Sequence, residues 1–258
     1  MDNQKIIGVV GGLGPYAGLE FVRKVFDQTI ATSDQEHLPL VLLSYPDRVG
    51  DRSAYILGKI ETNPAYAIAD ILAKLELLGA SVAGIACNSA HAPAIFNVIA
   101  DELVRRTSSL KLIHIVEETA RFLAQHYPAT KKIGLIATLG TVRSRVYESL
   151  FEPKGLQVVL PSDEIQAGTV HRAIYDPLFG IKAKSNPVTG QARLAFLDAI
   201  THLQSRGAEA IILGCTEVTL AITEKRIGGC VLLDPGVILA RALIREVAPE
   251  KLRPLEEG

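Results

Sequence analysis

Cysteine is scarce in this chain: three residues in 258, an odd number. Three thiols do not make the paired framework of a small secreted fold, so they are expected free, in a reducing compartment. No Cys-x-x-Cys occurs, which excludes the common redox dithiol. Neither sign of charge is in excess, with 27 basic residues against 28 acidic ones. Such a balance makes no field for nucleic acid or for an anionic membrane surface, so a ligand must be held by a local site. No apolar run approaches the roughly 18 residues that a membrane-spanning helix needs. Met1-Asp2-Asn3-Gln4-Lys5 has no basic leader and no small-residue cleavage pattern behind it, so it is not read as a signal peptide. A soluble, cytoplasmic protein is expected.

What is present is ordinary for a folded globule, 48% hydrophobic and 21% charged residues. Short apolar runs recur at Ile6–Val10, Leu40–Leu43, Val82–Ala86, Lys111–Ile115, Ile133–Ala137, Gln157–Leu160, Ala210–Leu213 and Val231–Leu233. Each has the length of a buried strand. The stretches between carry helical spacing, as in Ile68, Ile71, Leu72, Leu75 and Leu78, or Leu194, Phe196, Leu197, Ile200 and Leu203. Nearly uninterrupted apolar strands alternating with amphipathic helices predict an α/β fold with mainly parallel sheets flanked by helices.

The chain also repeats itself. "KIIGVVGGLG" lies over "KKIGLIATLG", pairing Gly8 with Gly134, and "LELLGASVAGIAC" lies over "LQSRGAEAIILGC", pairing Leu75 with Leu203, Ala80 with Ala208 and Cys87 with Cys215. The two blocks keep almost the same offset, which indicates duplicated halves. A cysteine therefore ends a strand at the same place in each half. Ligands of open α/β sheets bind beyond the carboxyl ends of the strands, so halves facing across a cleft would bring Cys87 and Cys215 to it from opposite sides.

The glycine-rich turn Gly11-Gly12-Leu13-Gly14-Pro15 follows a strand and opens a helix, where backbone N–H groups receive anions. It departs from a dinucleotide fingerprint, because Pro15 crowds it and no acidic residue ends a second strand at the right distance. Cys87 precedes Asn88-Ser89 and Cys215 precedes Thr216-Glu217, each ahead of a helical stretch whose positive end is expected to lower the thiol pKa. The bland alternative is a small buried hydrophobe. That reading is taken for Cys230, which starts a strand and has no repeat mate. Cys87, Cys215 and His91 together offer three metal ligands with nothing to fix them, so no metal is assigned. Arg48, in "SYPDR", follows a strand and is suited to a carboxylate, or else is a surface arginine paired with Asp47 or Asp51. Lys182 and Lys184 lie in a Gly/Pro/Asn-rich loop that could cover a cleft.

Taken together, "GVVGGLGP", "YPDR", "GIACNSAH", "GLIATLGT" and "IILGCTEV" resemble the pyridoxal-phosphate-independent aspartate/glutamate racemase family, and most closely its aspartate racemase branch. The resemblance runs from about Lys5 to beyond Asp234. It implies two pseudo-symmetric α/β domains, a first at 1–116, a second at 117–230 and a carboxyl-terminal segment, 231–258, that returns to the first, with the site in the cleft between them. It also implies a homodimer, no cofactor, and interconversion of L- and D-aspartate by Cys87 and Cys215 acting as thiolate and thiol on opposite faces of the α-carbon. Stereoinversion does need an acid and a base on opposite sides. By the same resemblance Arg48 and Lys182 bind carboxylates, Lys182 being preferred to Lys184 because Ile174-Tyr175 precedes it. Asn88, Ser89, the Ala90 N–H, Thr138 and Thr216 hold the amino acid, and Gly12, His91 and Glu217 support them. Ser89 replaces the family's usual threonine, and "IYDPLFGIKAK" departs from its shorter spacing before the lysine. Alternatives are a glutamate racemase, a maleate-isomerase-type enzyme, or a non-catalytic dicarboxylate-binding protein.

Overall fold

The computed structural model describes residues 5–255; Met1–Gln4 and Glu256–Gly258, which the amino-terminal reading and the outer domain limits include, lie outside the described residues. The first half runs β1 (Ile6–Gly11), α1 (Pro15–Asp27), β2 (Leu40–Ser44), α2 (Arg52–Ile56), α3 (Ala65–Leu77), β3 (Ala80–Ile85), α4 (Pro93–Arg105), β4 (Lys111–Ile113) and α5 (Ile115–His126). The second runs β5 (Lys132–Ile136), α6 (Leu139–Ser144), α7 (Val146–Phe151), β6 (Gln157–Val159), α8 (Asp163–Ile165), α9 (Arg172–Tyr175), α10 (Gly190–Ser205), β7 (Ala210–Leu213), α11 (Val218–Ala221), β8 (Arg226–Ile227) and β9 (Cys230–Leu233). Helix α12 (Pro235–Val247) follows. A π-helical turn, Gln166–His171, joins α8 to α9.

The strands make two sheets, ordered β2-β1-β3-β4 and β6-β5-β7-β9-β8. All pairings are parallel except that of β8 with β9. The α/β class with helix-flanked, mainly parallel sheets is thus the fold observed. Strand for strand, β1, β2, β3 and β4 repeat as β5, β6, β7 and β9, so the duplication read in the letters is a duplication of topology. One pair of glycines shows it at atomic scale. A Cβ on Gly8 would lie 3.0 Å from Ala80 and 3.3 Å from Leu75, and one on Gly134 would lie 3.1 Å from Ala208 and 3.2 Å from Leu203. These are the residues that the repeat aligns.

Local sequence explains where the helices start. Asp51, His114, Thr138, Thr189 and Asp234 each accept a backbone N–H from the first turn of the helix behind them. The run Lys111–Ile115, read as one strand, therefore ends at Ile113: His114 accepts from Glu117 N–H and the chain turns directly into α5. The short antiparallel β8 had no signal in the periodicity.

The segment after Cys230 behaves differently from the boundary expected for it. Val231 and Leu232 pair with Ala210 and Ile211 in the second sheet, so the return to the first half begins only at Asp234. Helix α12 then lies on the first sheet, where Leu239 and Leu243, both 0% exposed, meet Gly84. Each such leucine stabilises the fold by about 1.5–3 kcal/mol. One apolar cluster, including Val9, Leu123, Leu135, Phe151, Ile212 and Leu243, runs through both halves. Among the described residues no helix is long and apolar enough to cross a membrane.

Candidate active site

Strands β3 and β7 occupy equivalent places in their sheets, and Cys87 and Cys215 stand just past their carboxyl ends. The duplication brings the two thiols to one cavity, which Leu13, Arg52, Ser53, Asn88, Ser89, Thr138, Tyr175, Lys182, Gly214, Thr216 and Glu217 complete. Both cysteines are buried, and the cavity measures about 10 Å³, the room of one water. Cys230 stays apart, its thiol donating to the Ala208 carbonyl at 3.2 Å.

The two sulfurs have unlike neighbours. Cys87 lies beside the buried guanidinium of Arg52, which donates to the Leu13 carbonyl at 2.7 Å and the Gly50 carbonyl at 3.1 Å. Burial opposes the charge on Arg52, while the neighbouring Cys87, Asp51 and Glu217 outweigh it and hold the guanidinium above its ordinary value. Cys215 instead donates its thiol proton to Glu217 Oε2 at 3.1 Å, and Lys182 donates to Glu217 Oε1. Burial, and next the Glu217 carboxylate, push the Cys215 thiol well up. For Glu217 burial acts against ionisation, yet the Lys182 ammonium holds its carboxyl below the usual range.

This corrects the expectation of helix-lowered thiols for Cys215. Helix α11 behind Cys215 has four residues, too few peptide dipoles to offset burial and an adjacent carboxylate.

Arg48 takes the surface position that was the other reading of it. Its side chain is 76% exposed and lies 3.5 Å from Asp47, outside the cavity. The cavity's guanidinium is Arg52, from a second Asp-Arg pair four residues on. The missed signal is Asp51, which caps α2 by accepting from Ala54 N–H at 2.7 Å and so turns Arg52 inward. The Ala90 N–H also departs from its assignment: it donates to the Cys87 carbonyl at 3.3 Å, and Ala90 does not line the cavity. His91 supports the same carbonyl, its Nδ1–H donating at 2.9 Å. Among the described residues no three His, Cys, Asp or Glu side chains group as a metal site requires.

Hydroxyls seal the cleft. Ser53 donates to Thr138 at 2.7 Å, and Ser89 lies 3.1 Å from Thr138 and 2.7 Å from Thr141. Thr216 donates to the Ala86 carbonyl at 3.0 Å. These bonds join the two halves, each worth about 1 kcal/mol. Asn88, 2% exposed, accepts from the Tyr147 hydroxyl at 2.7 Å through Oδ1, while its Nδ2 has no protein partner.

Outside this cavity lies a chamber of about 320 Å³, lined among others by Gly12, Gly14, Asp51, Arg52, Lys182 and Glu217. Arg52, Lys182 and Glu217 line both spaces, so they form the partition. The glycine turn serves that partition. Gly14 has φ +125°, and a Cβ there would lie 2.2 Å from Glu217 Oε1. Tyr175 adds a bolt from the second half, donating to Asp51 at 3.2 Å.

The chain belongs to the Asp/Glu/Hydantoin racemase family, whose profile matches residues 10–243. It is 26% identical over 248 residues to the broad-specificity amino-acid racemase RacX of Bacillus subtilis, covering 93% of this chain and 96% of that one. Against the glutamate racemase of Enterococcus faecalis it is 26% identical over 245 residues, 92% of this chain and 77% of that one. Among solved structures it is similar to Picrophilus torridus aspartate racemase, with a TM-score of 0.76, 27% identity and 94% of each chain covered.

Proposed function

We propose that this protein is a cofactor-free racemase that inverts the α-carbon of aspartate, with Cys87 and Cys215 as the opposed base and acid. The observation that carries the reading is the convergence of two thiols, from equivalent strand ends of duplicated halves, on one small buried cavity. An acid and a base facing each other across a bound α-carbon are what inversion requires.

In the closed site Cys215 holds a proton shared with Glu217, so a turnover starting there has Cys87 as the base. The Cα–H electron pair stays on carbon as the Cys87 thiolate takes the proton. The Cys215 thiol then delivers its own proton to the opposite face, and the reverse turnover exchanges the two roles. Arg52 and the free Nδ2 of Asn88 suit the α-carboxylate, and Lys182, released from Glu217, suits a second carboxylate. Entry requires the partition to part, because the closed cavity has no room for an amino acid. Reclosure then excludes water from the carbanion.

Two cations at the partition support an acidic side chain. The similarity to Picrophilus torridus aspartate racemase supports aspartate, and that to the Enterococcus faecalis enzyme keeps glutamate as the competing substrate. One methylene changes binding by only about 1–3 kcal/mol. The test is α-hydrogen exchange in D2O, under reducing conditions, with both enantiomers of each. Deuterium entering L- and D-aspartate faster than glutamate is expected. No exchange in either pair overturns the racemase reading, and faster exchange in glutamate overturns the choice of aspartate.

A further inference from the structure

We infer that Tyr147 is a positioning residue: it fixes the Asn88 carboxamide with the amino group as the free end, so that Asn88 recognises a substrate carboxylate rather than an ammonium. The inference rests on the racemase reading of the cavity and assigns a polarity within it.

The geometry has three parts. Tyr147 is fully buried on α7, its ring packed edge-on to Phe151 at 5.4 Å and 74°. That hydroxyl meets Asn88 Oδ1 at 2.7 Å across the two halves. Asn88 lines the cavity beside Cys87, and its Nδ2 is buried with no protein partner. A carboxamide is donor at one end and acceptor at the other, so whichever end is engaged decides what the other can bind. Among the described residues the phenol proton has Asn88 Oδ1 as its acceptor. Turning the amide over would strand that proton and expose an orphan carbonyl oxygen, two unmet groups in a buried site. Burial also holds the Tyr147 phenol well above its ordinary value, so the proton remains available to donate.

Nothing in the sequence pattern pointed to Tyr147. It reaches Asn88 because Arg145, at φ +54°, breaks the helical path between α6 and α7 and redirects the chain. A left-handed arginine is a strained device, of the kind found where a side chain must be aimed.

The experiment is a double-mutant cycle on racemisation of aspartate by the full chain. Loss of one charge-assisted hydrogen bond corresponds to about tenfold. Tyr147→Phe is expected to raise KM about tenfold with kcat changed much less, and to add nothing in an Asn88→Ala background. Multiplying effects, or an unchanged KM, overturn the inference, because a role in packing alone would be independent of the amide. Asn88→Asp supplies the opposite sign and does not depend on Tyr147→Phe folding. It turns a carboxylate oxygen to the substrate and must weaken aspartate binding, whereas tighter binding means that the site receives an ammonium. Calorimetry in a Cys87→Ala background reads binding without turnover. An inactive wild type in which the same cycle appears in calorimetric aspartate affinity overturns only the racemase reading, and failure to bind aspartate or glutamate overturns both.

Discussion

A thiol that donates to a carboxylate keeps its proton, and Cys215 is held this way by Glu217 in a buried site. Glu217→Gln removes the negative neighbour and frees the Lys182 ammonium, both of which lower the Cys215 thiol. The ultraviolet thiolate signal of Cys215 is therefore expected to titrate at lower pH in that variant; an unchanged or higher midpoint would show that burial alone sets it. Cys87→Ala and Cys215→Ala should each abolish racemisation, while Cys230→Ala, whose thiol bonds the Ala208 carbonyl away from the cavity, should leave the rate nearly intact. Full activity in either of the first two would end the two-base mechanism. The arginines make a matched pair of tests. Arg52→Ala should reduce kcat/KM by about a hundredfold or more, since the proposed mechanism then loses the buried cation that receives the carboxylate. Arg48→Ala, removing a side chain 76% exposed, should change it less than about twofold.

Helices α1, α11 and α12 meet at one buried cation. Lys24, 7% exposed, pairs with Asp234 at 2.6 Å and donates to Thr219 at 2.8 Å. Asp234 meanwhile caps α12 through Gly236 and Val237 N–H, and Thr219 donates to the Thr216 carbonyl beside Cys215. One ammonium thus ties the start of the returning helix to the loop of the second thiol. Breaking a buried pair from one side leaves the other charge uncompensated. Lys24→Met is expected to cost about 3 kcal/mol in denaturant unfolding, the lower end for such pairs because Asp234 is 20% exposed. A change below about 0.5 kcal/mol would mean that Asp234 is already served by water and its helix alone.

For the molecule as a whole, acid acts through histidines buried in the neutral form. Burial, and then the nearby His114, hold His91 well below the ordinary histidine value of 6.5, and burial lowers His114 and His171 too. Folded pKa values below the unfolded one mean that the unfolded chain binds protons first. Stability present above pH 6.5 is lost as pH falls through that value toward the folded pKa values. Unfolding free energy at pH 7.5 should exceed that at pH 5.5, and His91→Asn should flatten the difference; a steeper slope in that variant would contradict it.

The architecture was legible because hydrophobic periodicity and an internal repeat are written along the chain. Strand–helix alternation follows from burying both faces of a parallel sheet, and nearly equal offsets between Gly8 and Gly134 and between Cys87 and Cys215 reveal two copies without any knowledge of how they pack. The paired thiols could be found the same way. Arg52, Ser53, Tyr147 and Tyr175 could not, because their roles depend on which residues of the other half they reach. Local capping at Asp51 turned the second Asp-Arg pair inward where the first was expected, and a left-handed Arg145 aimed a tyrosine that no motif marks. The sequence by itself determined two equivalent cysteines at two strand ends. Only the tertiary structure made them unequal, because burial and charge are properties of the space that the two halves enclose, with Arg52 beside Cys87 and Glu217 beside Cys215.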